Sequence, residues 1–171
     1  MPTYTPIEAQ ELILSGKLPA GSKVTRMYNT LEELRAEKKL KPAGILIKGC
    51  TQLQSLPDGL EVDGEVLLCD CISLKNLPIG MKVSMSLNIS GCTSLTTLPE
   101  DLEVGRDLDL RRCTSLILPN GIPKGVKGFV AITEDVLRNN KDHLLNWVNT
   151  NFIRWGKENS EEIFKRVMAE F

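Results

Sequence analysis

Apolar residues recur along this chain at one fixed interval. Ile45, Val66, Leu87 and Leu108 are each 21 residues apart, and Ile47, Leu68, Ile89 and Leu110 keep the same step. Leu53, Leu74, Leu95 and Leu116 form a third column, and Cys50, Cys71, Cys92 and Cys113 a fourth. Leu56, Leu77 and Leu98 each precede a proline, and Val62, Val83 and Val104 close the units. The last copy is one residue short, so Leu118-Pro119 arrives early. Self-similarity at such a step is the signature of stacked, quasi-one-dimensional architectures.

Each unit predicts one short strand and a return. Leu108-Asp109-Leu110 alternates apolar and polar, the period of a strand with one buried face. The cysteine follows three residues later, where the chain turns inward. The leucines after it line a helical or irregular return, and the proline stops regular hydrogen bonding. Gly59, Gly80 or Asp101 then supplies a turn. The few apolar side chains of one unit cannot offset the entropy of ordering it, so neighbours must stack and both ends need covers.

The flanks suit that role. Thr5-Pro6-Ile7-Glu8 predicts a helix start with a capping box and proline at the first position, and Gly16 a stop. Leu18-Pro19-Ala20-Gly21-Ser22-Lys23-Val24 echoes Leu56 to Val62, as a degenerate first unit. Residues 25–42 interrupt the repeat, with a helix expected near 31–40. Thr133 is expected to cap a helix carrying Leu137, Leu144, Val148 and Phe152 on one stripe. Asn159 or Ser160 is expected to cap a last helix with Ile163, Phe164, Val167, Met168 and Phe171 along one side. The organisation expected is an N-terminal cap (1–42), a repeat array (43–132) and a C-terminal helical tail (133–171).

The columns resemble a leucine-rich repeat. Leu108-x-Leu110-x-x-Cys113 and its three counterparts match the centre of that motif. Two features depart from it: the first leucine column holds Pro42, Asp63, Ser84 and Gly105, and the leucine after the cysteine comes three residues on rather than two. The short Leu-Pro unit is similar to that of bacterial leucine-rich-repeat proteins, secreted effectors among them. The resemblance implies an α/β fold, a short right-handed solenoid with an N-terminal helical cap and a C-terminal helical tail, and a role in binding proteins.

Composition narrows the function classes. The 171 residues are 42% hydrophobic and 25% charged, with a net charge of -1. That balance supports a folded core and argues against nucleic acid, whose phosphates call for a basic face. No apolar run reaches membrane-spanning length, and residues 1–15 lack the basic start of a secretory signal. A cytoplasmic location is expected, bacterial or, for a delivered effector, in the host cytosol.

Catalytic chemistry finds little support. The cysteine count is odd and the spacing follows the repeat, so reduced, buried thiols are expected rather than a disulfide framework. Neighbouring strands bring parallel Cβ atoms no closer than about 4.8 Å, too far for a disulfide. Cys69 stands in the outward column of Lys48, Ser90 and Arg111, yet pairing it with the single His143 supplies neither a positioned base nor an oxyanion site. Phosphate-binding glycine motifs are absent and no metal-ligand spacing occurs. No enzyme activity, cofactor or metal is expected.

The expected working surface is the outward strand face. Leu46 and Leu67 offer an apolar anchor at one end, with Cys69 and Asn88 between, and Asp109, Arg111 and Arg112 give a charged far end. Pairing of those arginines with Asp107 and Asp109 is the plainer reading, as is burial of Leu46 and Leu67 under the 31–40 helix. Trp147 and Trp155 on the tail are a second candidate contact. The function expected is non-enzymatic binding of a protein partner as adaptor or steric inhibitor, with no nucleic acid or membrane partner. The alternative is a secreted bacterial effector acting on host proteins, its activity or docking carried by the C-terminal helices.

Overall fold

The computed structural model describes residues 1–24, 44–140, 143 and 169, and the backbone of 153–155. The predicted 31–40 helix, Trp147 and the last helix lie outside them. The chain winds as a parallel β-solenoid of about five turns. Among the described residues two six-stranded parallel sheets run along it, so a coil carries two strands rather than one.

The second strand of each coil is the predicted one. β3 (Gly44–Leu46), β5 (Glu65–Leu67), β7 (Leu87–Asn88), β9 (Leu108–Asp109), β11 (Val130–Ile132) and β12 (Ile153–Trp155) lie side by side in that order. Their register sets Ile45 against Val66, Val66 against Leu87, Leu87 against Leu108, and Leu108 against Val130. All five side chains are buried. Columns of equal sequence phase therefore become ladders through the core.

The first strand of each coil was visible only as the valine column. β1 (Thr3–Tyr4), β2 (Lys23–Val24), β4 (Glu61–Val62), β6 (Lys82–Val83), β8 (Glu103–Val104) and β10 (Gly125–Val126) form the other sheet. Val24 pairs with Val62, so residues 18–24 do belong to a first coil. Leu53, Leu74, Leu95 and Leu116 are buried between the sheets and the irregular return. Gly59 and Gly80 turn that return at φ +65° and +70°, a left-handed backbone that glycine adopts without strain. Asp101, one coil on, does not copy the glycine; its carboxylate accepts the Gly80 N–H at 2.9 Å.

α1 (Pro6–Leu14) begins with the expected capping box. The Thr5 hydroxyl accepts the Glu8 N–H at 3.2 Å, and the Glu8 carboxylate accepts the Thr5 N–H at 2.9 Å. That backbone donor, then the Thr5 hydroxyl, pulls the Glu8 carboxyl below its usual range. Ala9 and Ile13 join the core, and Gln10 Nε2 donates to the Leu46 carbonyl on the edge strand at 2.6 Å. A side-chain donor on that edge leaves one fewer free acceptor for a foreign strand.

The C-terminal part departs from the expected helical stripe. α2 spans only Glu134–Asn139, and the Thr133 side chain makes no cap to it. Its hydroxyl instead accepts the Arg112 N–H at 3.0 Å, which ties the corner to the previous coil. Leu137 is buried as expected; Leu144, Val148 and Phe152 lie outside the described residues. Ile153–Trp155 is a strand paired in parallel with β11, not part of a helix. Adding a rung to an existing parallel sheet satisfies its backbone groups as well as a helix would. Among the described residues no helix is long and apolar enough to cross a membrane.

Candidate functional site: the outward face of the second sheet

Alternation along β5, β7 and β9 sends every other side chain outward, and in-phase stacking lines these up. One outward column reads Leu46, Leu67, Asn88, Asp109 and Ala131. Leu46 is exposed, and the other four are half-buried. The next column holds Lys48, Cys69, Ser90 and Arg111, of which Ser90 is buried rather than outward-facing as expected, and after it comes the corner of Gly49, Asp70, Gly91 and Arg112. Seven of the nine residues singled out from the sequence thus share this face or its rim. The Trp155 backbone pairs with Ile132 on the added strand, and Trp147 lies outside the described residues.

Much of the polar chemistry is committed internally. The Asn88 side-chain oxygen accepts the Ser90 N–H at 3.0 Å, and Asp109 accepts the Arg111 N–H at 3.1 Å, one coil apart and in the same way. Asp109 also takes the Arg111 guanidinium, with Nε donating to Oδ1 at 2.9 Å and Nη2 to Oδ2 at 2.5 Å. That bond keeps the Arg111 guanidinium charged to still higher pH. Arg111 is thus paired at the face, as the plainer sequence reading had it, while Arg112 takes a different acid.

Arg112 reaches back two coils. Its Nη2 donates to Asp70 Oδ1 at 3.0 Å, across Gly91. Asp70 and Arg112 both hold a left-handed backbone, φ +58° and +61°, and Gly91 between them +75°. A Cβ on Gly91 would lie 2.1 Å from Asp70 Oδ1, so only glycine leaves room for the clasp. The paired side chains are 62% and 53% exposed, so the ion pair itself is worth little. Gly91→Ala is expected to cost about 1–3 kcal/mol through backbone strain and the displaced Asp70. Urea unfolding of the variant checks this; an unchanged midpoint would refute it.

The thiols behave as structural groups. Cys92 Sγ donates to the Leu68 carbonyl at 3.2 Å and Cys113 Sγ to Ile89 at 3.1 Å, each bonding to the coil before. Burial pushes both thiols up to about 12, and Cys71 is raised for the same reason. The sign of the pH effect follows. Unfolded, Cys92 and Cys113 ionise near 9; folded, they keep their protons to about 12. The folded array binds more protons in that window, so its stability falls as pH rises from 9 towards 12. Melting temperatures across that range are expected to drop, and Cys92→Ala to flatten the decline. All five cysteines are free; Cys50 and Cys69 are half-buried, so alkylation at pH 8 is expected there first.

Among the described residues no cluster of histidine, cysteine and carboxylate side chains could hold a metal ion. Sequence reasoning missed Asp70, whose partner is 42 residues away, and the charges on the first sheet. There Lys23 meets Glu61 at 3.8 Å and Lys82 meets Glu103 at 3.2 Å, an alternating ladder. The repeat carried a signal for it, since Val24, Val62, Val83 and Val104 each follow a charged residue.

Fold and face together define a two-sheet parallel β-solenoid with a chemically varied strand face. No family model matches the chain, and no curated protein or solved structure matches it significantly.

Proposed function

We propose that the protein is a non-enzymatic binding module that engages a protein partner through the outward face of the second sheet. One observation carries this reading. The inward column is uniformly apolar, Ile45, Val66, Leu87, Leu108 and Val130, while the outward column beside it changes chemistry at nearly every coil. A core column must fill space alike in each coil; an outward column is free to be specific, and a strip running over several coils suits a protein surface. Leu46 and Leu67 supply an apolar anchor, the kind of contact that dominates binding energy. The 21-residue Leu-Pro repeat favours a bacterial leucine-rich-repeat protein acting in the cytoplasm, as an adaptor or a steric inhibitor.

The test is capture of a partner from the native cytoplasm, then its titration against variants. Leu46→Asp and Leu67→Asp are expected to weaken a saturable complex by about a hundredfold. Retention of full affinity by both would remove this face from the interaction.

A further inference from the structure

The corner between the two sheets carries a second chemical feature near the C-terminal end of the array. Of the arginines with described side chains, Arg111, Arg112 and Arg138 each hold a carboxylate. Arg106 holds none and is exposed. It stands on the turn between β8 and β9, and the equivalent turn one coil later carries Lys127, also exposed and without a carboxylate partner. The Lys127 ammonium makes only a long contact, 3.5 Å, to the Lys124 carbonyl.

These cations flank an open recess of about 360 Å³ lined by Gly105, Arg106, Asp107, Lys127, Gly128 and Phe129. Gly105 and Gly128 put no side chain into it, and Phe129, 39% exposed, gives it an apolar wall. Asp107 is its one acid, and that carboxylate already accepts the Phe129 N–H at 2.9 Å. Two cations against one engaged carboxylate leave the recess net positive in a chain whose total charge is -1.

We infer that this recess receives an acidic, aromatic-bearing segment of the protein partner, its carboxylate between Arg106 and Lys127 and its ring against Phe129. Charge complementarity selects the occupant: a planar guanidinium with no internal partner is suited to a carboxylate. Nucleic acid fits less well, since a phosphate backbone needs a continuous basic track and Glu103, Asp107 and Asp109 lie on the same coil as Arg106. The column of Glu65, Ser86, Asp107 and Phe129 borders the strand face, so the recess is continuous with it. The inference rests on the strand-face reading and adds the chemistry of what binds there.

The experiment uses the full chain, ¹⁵N-labelled, titrated with a capped peptide of alternating glutamate and phenylalanine. Control titrations use a lysine–phenylalanine peptide and oligothymidylate. Amide shifts at residues 105–107 and 127–129 with the acidic peptide alone are expected. Arg106→Glu and, separately, Lys127→Glu should each weaken binding about tenfold or more, with signal dispersion showing an intact fold. Equal shifts from the lysine peptide, stronger ones from oligothymidylate, full binding by both variants, or no shift at all would overturn the recess. Shifts confined to Leu46, Leu67 and Asn88 would also overturn it, yet leave the strand face standing. Loss of partner capture in Leu46→Asp without loss in Arg106→Glu gives that same separation.

Discussion

Asn140→Ala is expected to lower the free energy of unfolding by about 3 kcal/mol. Asn140 is fully buried just past α2, where no polar group would rest without partners. Its Nδ2 donates to the Leu116 and Val136 carbonyls, both at 2.8 Å, and its Oδ1 accepts the Leu118 N–H at 2.6 Å. One amide therefore serves three backbone groups and joins the last return of the array to the helix behind it. Alanine strips those groups of a partner where water enters poorly, and each orphan costs about 1–3 kcal/mol before relaxation. Asn140→Asp should do no better, because it removes both donors and buries a charge. Urea unfolding measures the loss. Hydrogen exchange should show the amides of residues 116–118 and of α2 opening first. A change below about 1 kcal/mol would mean that solvent replaces the side chain, and the bridge would then not anchor that end.

The second large effect is expected at the centre of the array. Leu87→Ala should cost about 3–4 kcal/mol, within the range for leucine truncations in a close-packed core. Leu87 is fully buried and lies between Val66 and Leu108 in the ladder, so the void opens towards both neighbouring coils. Asn88→Ala, one residue along the same strand, should cost less than about 1 kcal/mol. It loses one bond, to the Ser90 N–H, at a half-buried outward site. The contrast tests the alternation directly. Equal losses at the two positions would show that the strand does not present opposite faces there.

The long columns were legible in the sequence because their interval is constant. A constant interval leaves Ile45, Val66, Leu87 and Leu108 one choice, to stack in phase. The outward position of Leu46, Leu67 and Asn88 followed from alternation alone. The second sheet stayed hidden for a physical reason. Its strands are two residues long, as in Lys82–Val83, and so short a run shows no period. β12 was hidden because the step from Leu108 to Val130 is 22 residues and from Val130 to Ile153 is 23, with no cysteine in either added coil. Apolar residues there also fit a helical stripe, and a stripe read from local spacing cannot see the edge of a sheet waiting for a partner. Asn140 reads as an ordinary helix end; its importance lies in the Leu116 carbonyl and the Leu118 N–H, more than twenty residues upstream. The Asp70–Arg112 clasp needs two left-handed residues and a glycine between coils, which no local pattern announces.

The thiol bonds have a consequence for how such a chain can change in length. Cys71, Cys92 and Cys113 each donate a hydrogen bond to the coil before, and each inward strand residue is paired in register with the rungs on either side. A tandem duplication of one 21-residue stretch would therefore insert as a spare turn, lengthening the molecule by about 4.8 Å without disturbing the turns already present. Asp70 and Arg112 act as a tally on that growth: copies added outside them are silent, while one added between them pulls the two apart.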